Sequence, residues 1–404
     1  MARILHVAYT NYRRDPRVRR EAEALVEAGH DVVFLARRQP GEPHREQIDG
    51  VHVCKLPGLE NKRTSISGYL LDYGIFFVLV SLHLVAHPRR YRLIHVSNMP
   101  DFLVLATWLP RLLGVPVIHD VHDLMPELYA EKFDTGETHW LVRALKLQER
   151  WAGRFASAVL TVEERLKDIL ATRGLPREKI HVLMNLPDER IFVARGSVPP
   201  KGADAAFVMV YHGTLARRLG LDLAIEAVAI ARASVPRIEL RIIGAGEERD
   251  RLVALRNSLD LHQHVTFSEG FVPVQMIPAL VADADVGVVP LRISGGTDIM
   301  LPTKLLEYVA LGIPCIVPRS GTICRYFDDE MVAFFEAENV QSLAATMVTL
   351  HRNFERRKRL VNNATARFGR KYSWERHKLV YTELVERLLQ SCRPGRLNRS
   401  VGPP

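Results

Sequence analysis

The sequence predicts an α/β protein made of two doubly wound domains in tandem. Short β-branched runs alternate with longer helical patterns from end to end, the signature of parallel sheets layered with helices. A length of 404 residues accommodates two large domains at about 150 residues per domain. The alternation breaks once, at the Gly- and Pro-rich stretch ARGSVPPKGADAA (194–206), which reads as a linker.

In the first half the expected strands are Ile4–Tyr9, Asp31–Leu35, Val51–Leu56, Leu93–Val96, Val115–His119, Ala158–Val162 and Ile180–Leu183. Between the first two, Pro16–Ala28 carries Val18, Ala22, Leu25 and Val26 at helical spacing, and Gly29 stops it in a C-cap role. Tyr69–Ala86 is almost wholly apolar after Asp72, but it includes Ser81 and His83 and falls short of the roughly 20 clean residues a spanning helix needs. A buried helix is expected there, with an interfacial helix as the alternative. The second half repeats the pattern with strands at Phe207–His212, Ile238–Ile243, Val265–Phe267, Val286–Val289, Ile313–Val317 and Val332–Phe335. A helix over Trp374–Leu389 comes last, and the tail 392–404 lacks apolar periodicity and is expected to be disordered.

Apolar residues at 47% and charged residues at 25% exclude a largely disordered chain. Cys54, Cys315, Cys324 and Cys392 form no CxxC pair, so neither a zinc ribbon nor a disulfide framework is indicated, and a reducing, cytosolic setting fits. MARILHVAY at the N-terminus has no charged-then-apolar leader, so secretion is not expected. The net charge of +9 points to an anionic partner: nucleic acid, an acidic membrane face or a phosphorylated small molecule. Basic residues crowd at Arg13, Arg14, Arg17, Arg19 and Arg20, and again at Arg352, Arg356, Arg357, Lys358 and Arg359. Each cluster reads equally as a solvated helix face or an anionic contact. Neither has interleaved aromatics and no helix-turn-helix is apparent, so nucleic acid is not expected.

Ligands of open parallel sheets sit beyond the carboxyl ends of the strands. The polar residues at those ends are Thr10, Asn11 and Asp15, then Asn98 and Asp101, then His122 and Asp123 in the first domain. In the second they are 213–218, 244–247, 269–270, 294–298 and 319–321. Two such rims facing one cleft suit a polar, phosphorylated molecule. The sharpest local signal is LPTKLLEYVALG (301–312). Pro302 suits the first helical position and Gly312 the C-cap. Thr303, Lys304 and Leu305 then offer free N–H groups at the positive end of the helix dipole, and Lys304 adds a full charge: a place for a diphosphate. Glu307 is either an intrahelical partner of Lys304 or an acceptor for ribose hydroxyls. His119 reads as a core residue. His122, past the strand end, suits a hydrogen-bonding or acid–base role. No ligand cluster accompanies the two histidines, so no metal is expected. Gly244-Ala-Gly246 is a lone GxG and weak by itself.

Taken together, HGTLARRLGLDLAIEA (212–227), ELRIIGAGEE (239–248), VTFSEGFVP (265–273), DADVGVVP (283–290) and LPTKLLEYVALGIPCIV (301–317) resemble the GT4-type retaining glycosyltransferases of the GT-B fold. DPRVRREAEALVEAGHDV (15–32), HVSNMPDFLV (95–104), HDVHDLMPEL (119–128) and VLMNLPDERIF (182–192) look like the acceptor-side domain of that family. The resemblance implies two Rossmann-like domains facing across a cleft, divided as 1–193, a linker 194–206, 207–373, a C-terminal helix 374–391 packing back on the first domain, and the tail. It implies a nucleotide-sugar donor in the second domain, an acceptor in the first, and retention of configuration without metal or other cofactor. By position, Gly213, Thr214, Arg217, Gly244, Gly246, Gly270, Phe271, Asp298, Thr303, Leu305 and Glu307 form the donor side, with Glu307 on the ribose. Arg217 or Arg218 matches the basic residue on the diphosphate, with Lys304 adding to its charge; His122 matches the histidine near the transferred sugar, and Asn11, Asp15 and Asn98 fall on the acceptor side.

The chain departs from the family pattern at three places. Ile299 stands where many members carry a first glutamate, with Asp298 the nearest carboxylate. Leu219 replaces the usual lysine before Gly220, leaving Arg217 and Arg218. The loop Thr10–Asp15 lacks the usual glycine pair. The expected activity is transfer of a hexose to a glycan or lipid-linked acceptor in cell-surface polysaccharide or glycolipid synthesis. The setting is cytoplasmic, with peripheral contact to an anionic membrane through Tyr69–Ala86 and Arg13–Arg20. An epimerase on the same fold is the enzymatic alternative. A non-catalytic nucleotide-sugar-binding protein is the other, and Ile299 favours it.

Overall fold

The computed structural model describes residues 1–58, 66–133, 135–136, 138–196, 202 and 205–391. The expected tail 392–404, and residues 197–201 and 203–204 of the expected linker, lie outside them. The chain forms two units, Met1–Met184 with the residues from Glu375 onward, and Asn185–Trp374.

The first unit is built on an eight-stranded sheet in the order β3-β4-β2-β1-β5-β6-β7-β8. Its strands are β1 (Arg3–Val7), β2 (Asp31–Arg37), β3 (Arg45–Ile48), β4 (Val51–Leu56), β5 (Leu93–Ser97), β6 (Val117–Val121), β7 (Ala158–Thr161) and β8 (Ile180–Val182). All neighbours pair parallel except β3 with β4. Its helices are α1 (Pro16–Glu27), α2 (Ile66–Ala86), α3 (Trp108–Leu112), α4 (Met125–Lys132), α5 (Trp140–Phe155) and α6 (Glu164–Thr172). Helix α1 starts where it does because the Asp15 side chain accepts from the Arg17 amide while Pro16 presets the first turn. Val18, Ala22 and Leu25 are its buried stripe.

Two expectations change here. Helix α2 is not buried on all sides. Phe76, Val80 and Leu84 join the core of Leu5, Val7, Ile94 and Val96, whereas Leu70, Leu71, Val78, Leu82 and Val85 are exposed. Its one acid, Asp72, is buried, accepts from the Tyr9 hydroxyl and lies 3.5 Å from Arg37 Nε. No helix among the described residues is long and apolar enough to cross a membrane. The arginine cluster of α1 is not an open basic face either. Arg13 pairs with Glu46 at 2.5 Å, Arg17 with Asp15 at 3.2 Å, and Arg19 with Asp49 at 2.8 Å, while Arg20 is buried.

The second unit has a six-stranded parallel sheet in the order β11-β10-β9-β12-β13-β14. The strands are β9 (Phe207–His212), β10 (Ile238–Ile243), β11 (Val265–Phe267), β12 (Val286–Val288), β13 (Cys315–Pro318) and β14 (Ala333–Phe335). Helices α7 (Leu221–Ala231), α8 (Arg249–Ser258), α9 (Ile277–Leu280), α10 (Thr303–Leu311), α11 (Gly321–Tyr326), α12 (Val340–Arg352) and α13 (Phe354–Ala364) surround it. The expected division after residue 193 falls instead after Met184. Arg195 of the expected linker is held to this unit: its amide donates to the Leu311 carbonyl, and its guanidinium reaches the carbonyls of Ala282 and Ala284 at 2.8 and 2.7 Å. Helix α14 (Trp374–Ser391) docks on the first unit through Tyr381 on His95 (2.7 Å), Lys378 on Glu27 (3.0 Å) and Glu386 on His30 (3.2 Å).

Candidate functional site

In the second unit the loops after β9 and β10 are laced together. Gly213 N donates to Ile243 O and Leu215 N to Ala245 O. The approach is so close that a Cβ on Gly244 would stand 1.9 Å from the Gly213 oxygen, and one on Gly246 2.2 Å from the Leu215 oxygen. Gly244 also holds a φ of 144°, open to glycine at little cost. The weak GxG thus has a firm structural reason. Ser268 Oγ accepts from the Gly244 amide at 2.8 Å and donates to the Gly270 carbonyl at 3.1 Å, tying in the loop after β11. Phe271 beside it is exposed.

Helix α10 presents its first turn to this loop. Pro302 is the N-cap, one position earlier than expected, and Gly312 closes the helix at a φ of 71°. The Leu305 amide already bonds to the Pro302 carbonyl at 3.0 Å, and its side chain is fully buried. Thr303 and Lys304 remain as amides to which helix geometry gives no partner. Lys304 Nζ lies 3.1 Å from the Tyr211 hydroxyl and 4.4 Å from the centre of its ring. A Cβ on Gly213 would meet Lys304 Cε at 3.4 Å, so the ammonium stands directly over the glycine loop. The Tyr211 hydroxyl is itself fixed, donating to the Thr214 carbonyl at 2.6 Å.

Glu307 does not pair with Lys304 along the helix. Its Oε2 lies 2.5 Å from His212 Nε2. The Tyr308 hydroxyl lies 3.0 Å from both the Val210 carbonyl and His212 Nδ1, so the ring is held at both nitrogens and fastens the carboxylate to the last residue of β9.

Among the remaining donor-side residues, Asp298 is tied to a neighbouring element. Asp298 Oδ1 accepts from the Gly321 amide at 2.6 Å, at the start of α11, and Ile299 is turned inside. Arg217 and Arg218 sit exposed on a short turn. Arg217 lines a cavity of about 390 Å³ together with Asp222, Glu248, Arg251 and Arg292. Asp222 accepts from Arg292 at 2.7 Å and from Arg251 at 3.2 Å. Burial pushes this carboxyl up, but the two guanidiniums more than offset it and hold it below the usual carboxylate range. A depressed folded-state pKa gives stability that is present above the unfolded value and lost as pH falls through the folded one. Asp222→Asn is therefore expected to cost about 1–3 kcal/mol at pH 7. Urea denaturation should show that gap narrowing below about pH 4; a gap independent of pH would refute the assignment.

In the first unit β6 carries His119 fully inside the sheet, 3.6 Å from Asp101, and ends directly before His122. The three expected acceptor-side residues turn out to have structural duties. Asn98 is buried and is a strut: its amide nitrogen donates to Asp101 and to the Asp123 carbonyl, and its oxygen accepts from the His122 amide at 3.3 Å. Asp15 caps α1, and Asn11 donates to Glu42 at 2.9 Å. Sequence reasoning missed a buried polar group on the other face of the same sheet, His6, Glu21, His95 and Asp120. The signal was there as single polar residues inside the apolar runs RILHV and LIHVS.

Two sheet-based α/β units, the second with closely laced glycine loops at the carboxyl ends of its strands, have the architecture of the GT-B class. The chain aligns with sucrose-phosphate synthase from Thermosynechococcus elongatus at a TM-score of 0.78 and 19% identity, over 96% of this chain and 100% of that one. With Anabaena HepE in complex with UDP-glucose the TM-score is 0.70 at 16% identity, over 96% and 100%. Within that class, residues 15–185 match the glycosyl transferase 4-like domain and residues 199–367 the glycosyl transferases group 1 domain. The chain belongs to the GT4-type group 1 glycosyltransferases. Among its relatives is the GDP-mannose-dependent alpha-(1-6)-phosphatidylinositol monomannoside mannosyltransferase of Mycolicibacterium smegmatis, 36% identical over 116 residues; the match spans only 28% of this chain and 30% of that protein. The chitobiosyldiphosphodolichol beta-mannosyltransferase of Candida glabrata is 24% identical over 364 residues, covering 82% of this chain and 80% of that one.

Proposed function

We propose that this chain is a retaining, metal-independent hexosyltransferase whose donor is GDP-mannose and whose acceptor is a lipid-linked or glycan molecule used in cell-surface polysaccharide or glycolipid synthesis. The observation that carries the donor side is Lys304 standing over the Gly213 loop at the first turn of α10. Departure of a nucleoside diphosphate develops negative charge, and fixed positive groups aimed at it lower the barrier. The Lys304 ammonium and the first amides of α10 supply such charge without a divalent ion. The relatives named above support mannose. Their names divide between alpha and beta products, so stereochemistry is part of the test.

Purified protein is incubated with a panel of nucleotide sugars, with and without lipid-linked acceptors, in the presence of a chelator. Nucleotide release that requires acceptor, with an α-linked product by NMR, supports the reading. An inverted product removes retention, loss of activity in chelator removes metal independence, an altered free sugar makes the chain an epimerase, and binding without turnover makes it a binding protein.

Membrane contact is supported by exposed apolar side chains of the first unit: Leu71, Val78 and Leu82 on α2, Trp108 and Leu112 on the adjoining α3, and Trp151 on α5. Aromatic and aliphatic side chains outside a core partition into the headgroup boundary. The exposed Arg89, Arg90 and Arg143, rather than the α1 cluster, would add roughly 1 kcal/mol each near anionic lipid. Flotation with anionic vesicles at low salt is the check. Recovery wholly in the soluble fraction would remove the membrane and leave the transferase.

A further inference from the structure

We propose that Asp120 is the positioning residue for His122, its buried carboxylate setting the tautomer and ring plane with which His122 presents Nε2. The proposal rests on the reading of His122 as the histidine beside the transferred sugar. Alternation along β6 sends His119 to one face of the sheet and Asp120 to the other, where the buried His6, His95, Glu21 of α1 and Tyr381 of α14 lie. Asp120 Oδ2 is 3.7 Å from His122 Nδ1 and 3.9 Å from His95 Nε2, and none of these three buried atoms has a hydrogen-bond partner among the described residues. A buried charge left unpaired is costly, and a ring movement of under about 1 Å brings His122 Nδ1 into hydrogen-bond range of the carboxylate.

The other groups around Asp120 are engaged elsewhere: the partly buried Arg17, whose charge also acts on Asp120, pairs with Asp15 at 3.2 Å. His95 is held from its far edge by the Tyr381 hydroxyl at 2.7 Å from Nδ1. His6 stacks on His95 with ring centres 4.0 Å apart and is held by Ser97 Oγ at 2.9 Å. Glu21 Oε2 lies 3.8 Å from His6 Nε2 and 3.9 Å from His95 Nε2. The ligand atoms of His6, Glu21 and His95 fall within 4.8 Å of one another, which raises the question of a metal ion. The imidazole planes are only 11° apart, so their lone pairs run side by side instead of converging on a point about 2 Å from both nitrogens. The group shares protons better than it would hold an ion. Burial pushes both carboxyls up. For Asp120 the imidazoles of His122 and His95 reverse that and hold it well below the carboxylate range. For Glu21 the neighbouring Asp120 charge adds to it. The two shifts run in opposite directions, and Asp120 is the one of the pair biased toward the charged form that faces His122.

Asn98 already fixes the His122 backbone, so Asp120 supplies the remaining constraint, rotation of the ring. The neutral tautomer follows from the hydrogen bond made by one nitrogen. With Nδ1–H directed at Asp120, Nε2 carries a lone pair outward. On the outer side Asp123 Oδ2 is 3.9 Å from Nε2, with its side chain 39% exposed and thus screened by solvent.

The test is long-range ¹H–¹⁵N correlation of ring-labelled histidines in the full chain, with His122 assigned by its loss in His122→Gln. The expected neutral form is Nδ1–H, retained in Asp120→Asn, whose carbonyl still accepts, and shifted toward Nε2–H in Asp120→Ala. An Nε2–H form in the unsubstituted protein, or no response to Asp120→Ala, overturns the proposal. Should Asp120→Ala fail to fold, the tautomer of the unsubstituted protein decides alone. In the transfer assay Asp120→Ala should lower kcat roughly 10²-fold, as a misplaced group does, with the donor KM little changed. If His122→Ala leaves transfer intact, the role of His122 in the reaction falls, and the tautomer still decides whether Asp120 sets the ring.

Discussion

Lys304→Ala is expected to lower transfer about 10²–10³-fold, the usual effect of deleting one fixed donor to a developing anion, while the protein stays folded. The expectation comes from where the ammonium stands. Its stem crosses Gly213, its head rests on Tyr211, and the helix beneath contributes two unpartnered amides. Lys304 is half-buried, and its removal cuts one contact with Tyr211 but leaves the Tyr211–Thr214 bond in place. The loss should therefore fall on kcat more than on the melting temperature. Arg218 gives a cross-check. If both cations serve one diphosphate, the Arg218→Ala, Lys304→Ala double variant loses less than the sum of the single losses, because groups on one ligand are coupled. Normal kcat in Lys304→Ala would remove the helix start from the donor site.

The residues explain which parts of this fold could be read in advance. The strands of both sheets are nearly all local apolar runs, and such runs announce themselves. β3 did not, because REQI is charged and pairs only as an antiparallel edge, where charge discourages further pairing. Helix α2 misled for the opposite reason. Its composition says core, but position around the helix decides exposure, and an apolar residue on every face leaves no periodic signal to read. Helix α10 was legible because its opening proline, its lysine and its closing glycine lie close together in sequence. The roles of Asn98 and Asp120 were not, since they depend on partners such as His122, His95 and Glu21 that only the strand order brings near.

The largest structural effect is expected from the smallest substitution, Gly244→Ala. Two costs act at once. At a φ of 144° an alanine is strained, at about 1–3 kcal/mol for a residue held in a glycine region. The new Cβ would also stand 1.9 Å from the Gly213 carbonyl oxygen, which is backbone and cannot rotate aside. Gly213 is bonded to Ile243 on the same side, so the loop beneath Lys304 must move as a whole. Gly29→Ala separates the two costs. It too has a positive φ, 84°, but its Cβ meets nothing within 4 Å. That variant should lose only the left-handed penalty, about 1–2 kcal/mol, and should bind a nucleotide sugar normally. Gly244→Ala should lose more stability than this in urea denaturation and should lose donor binding even below the temperature at which it unfolds. If Gly244→Ala binds donor as tightly as the unsubstituted protein, the loop after β9 cannot be the donor seat, and the glycine lacing of β9 to β10 is a device of folding alone.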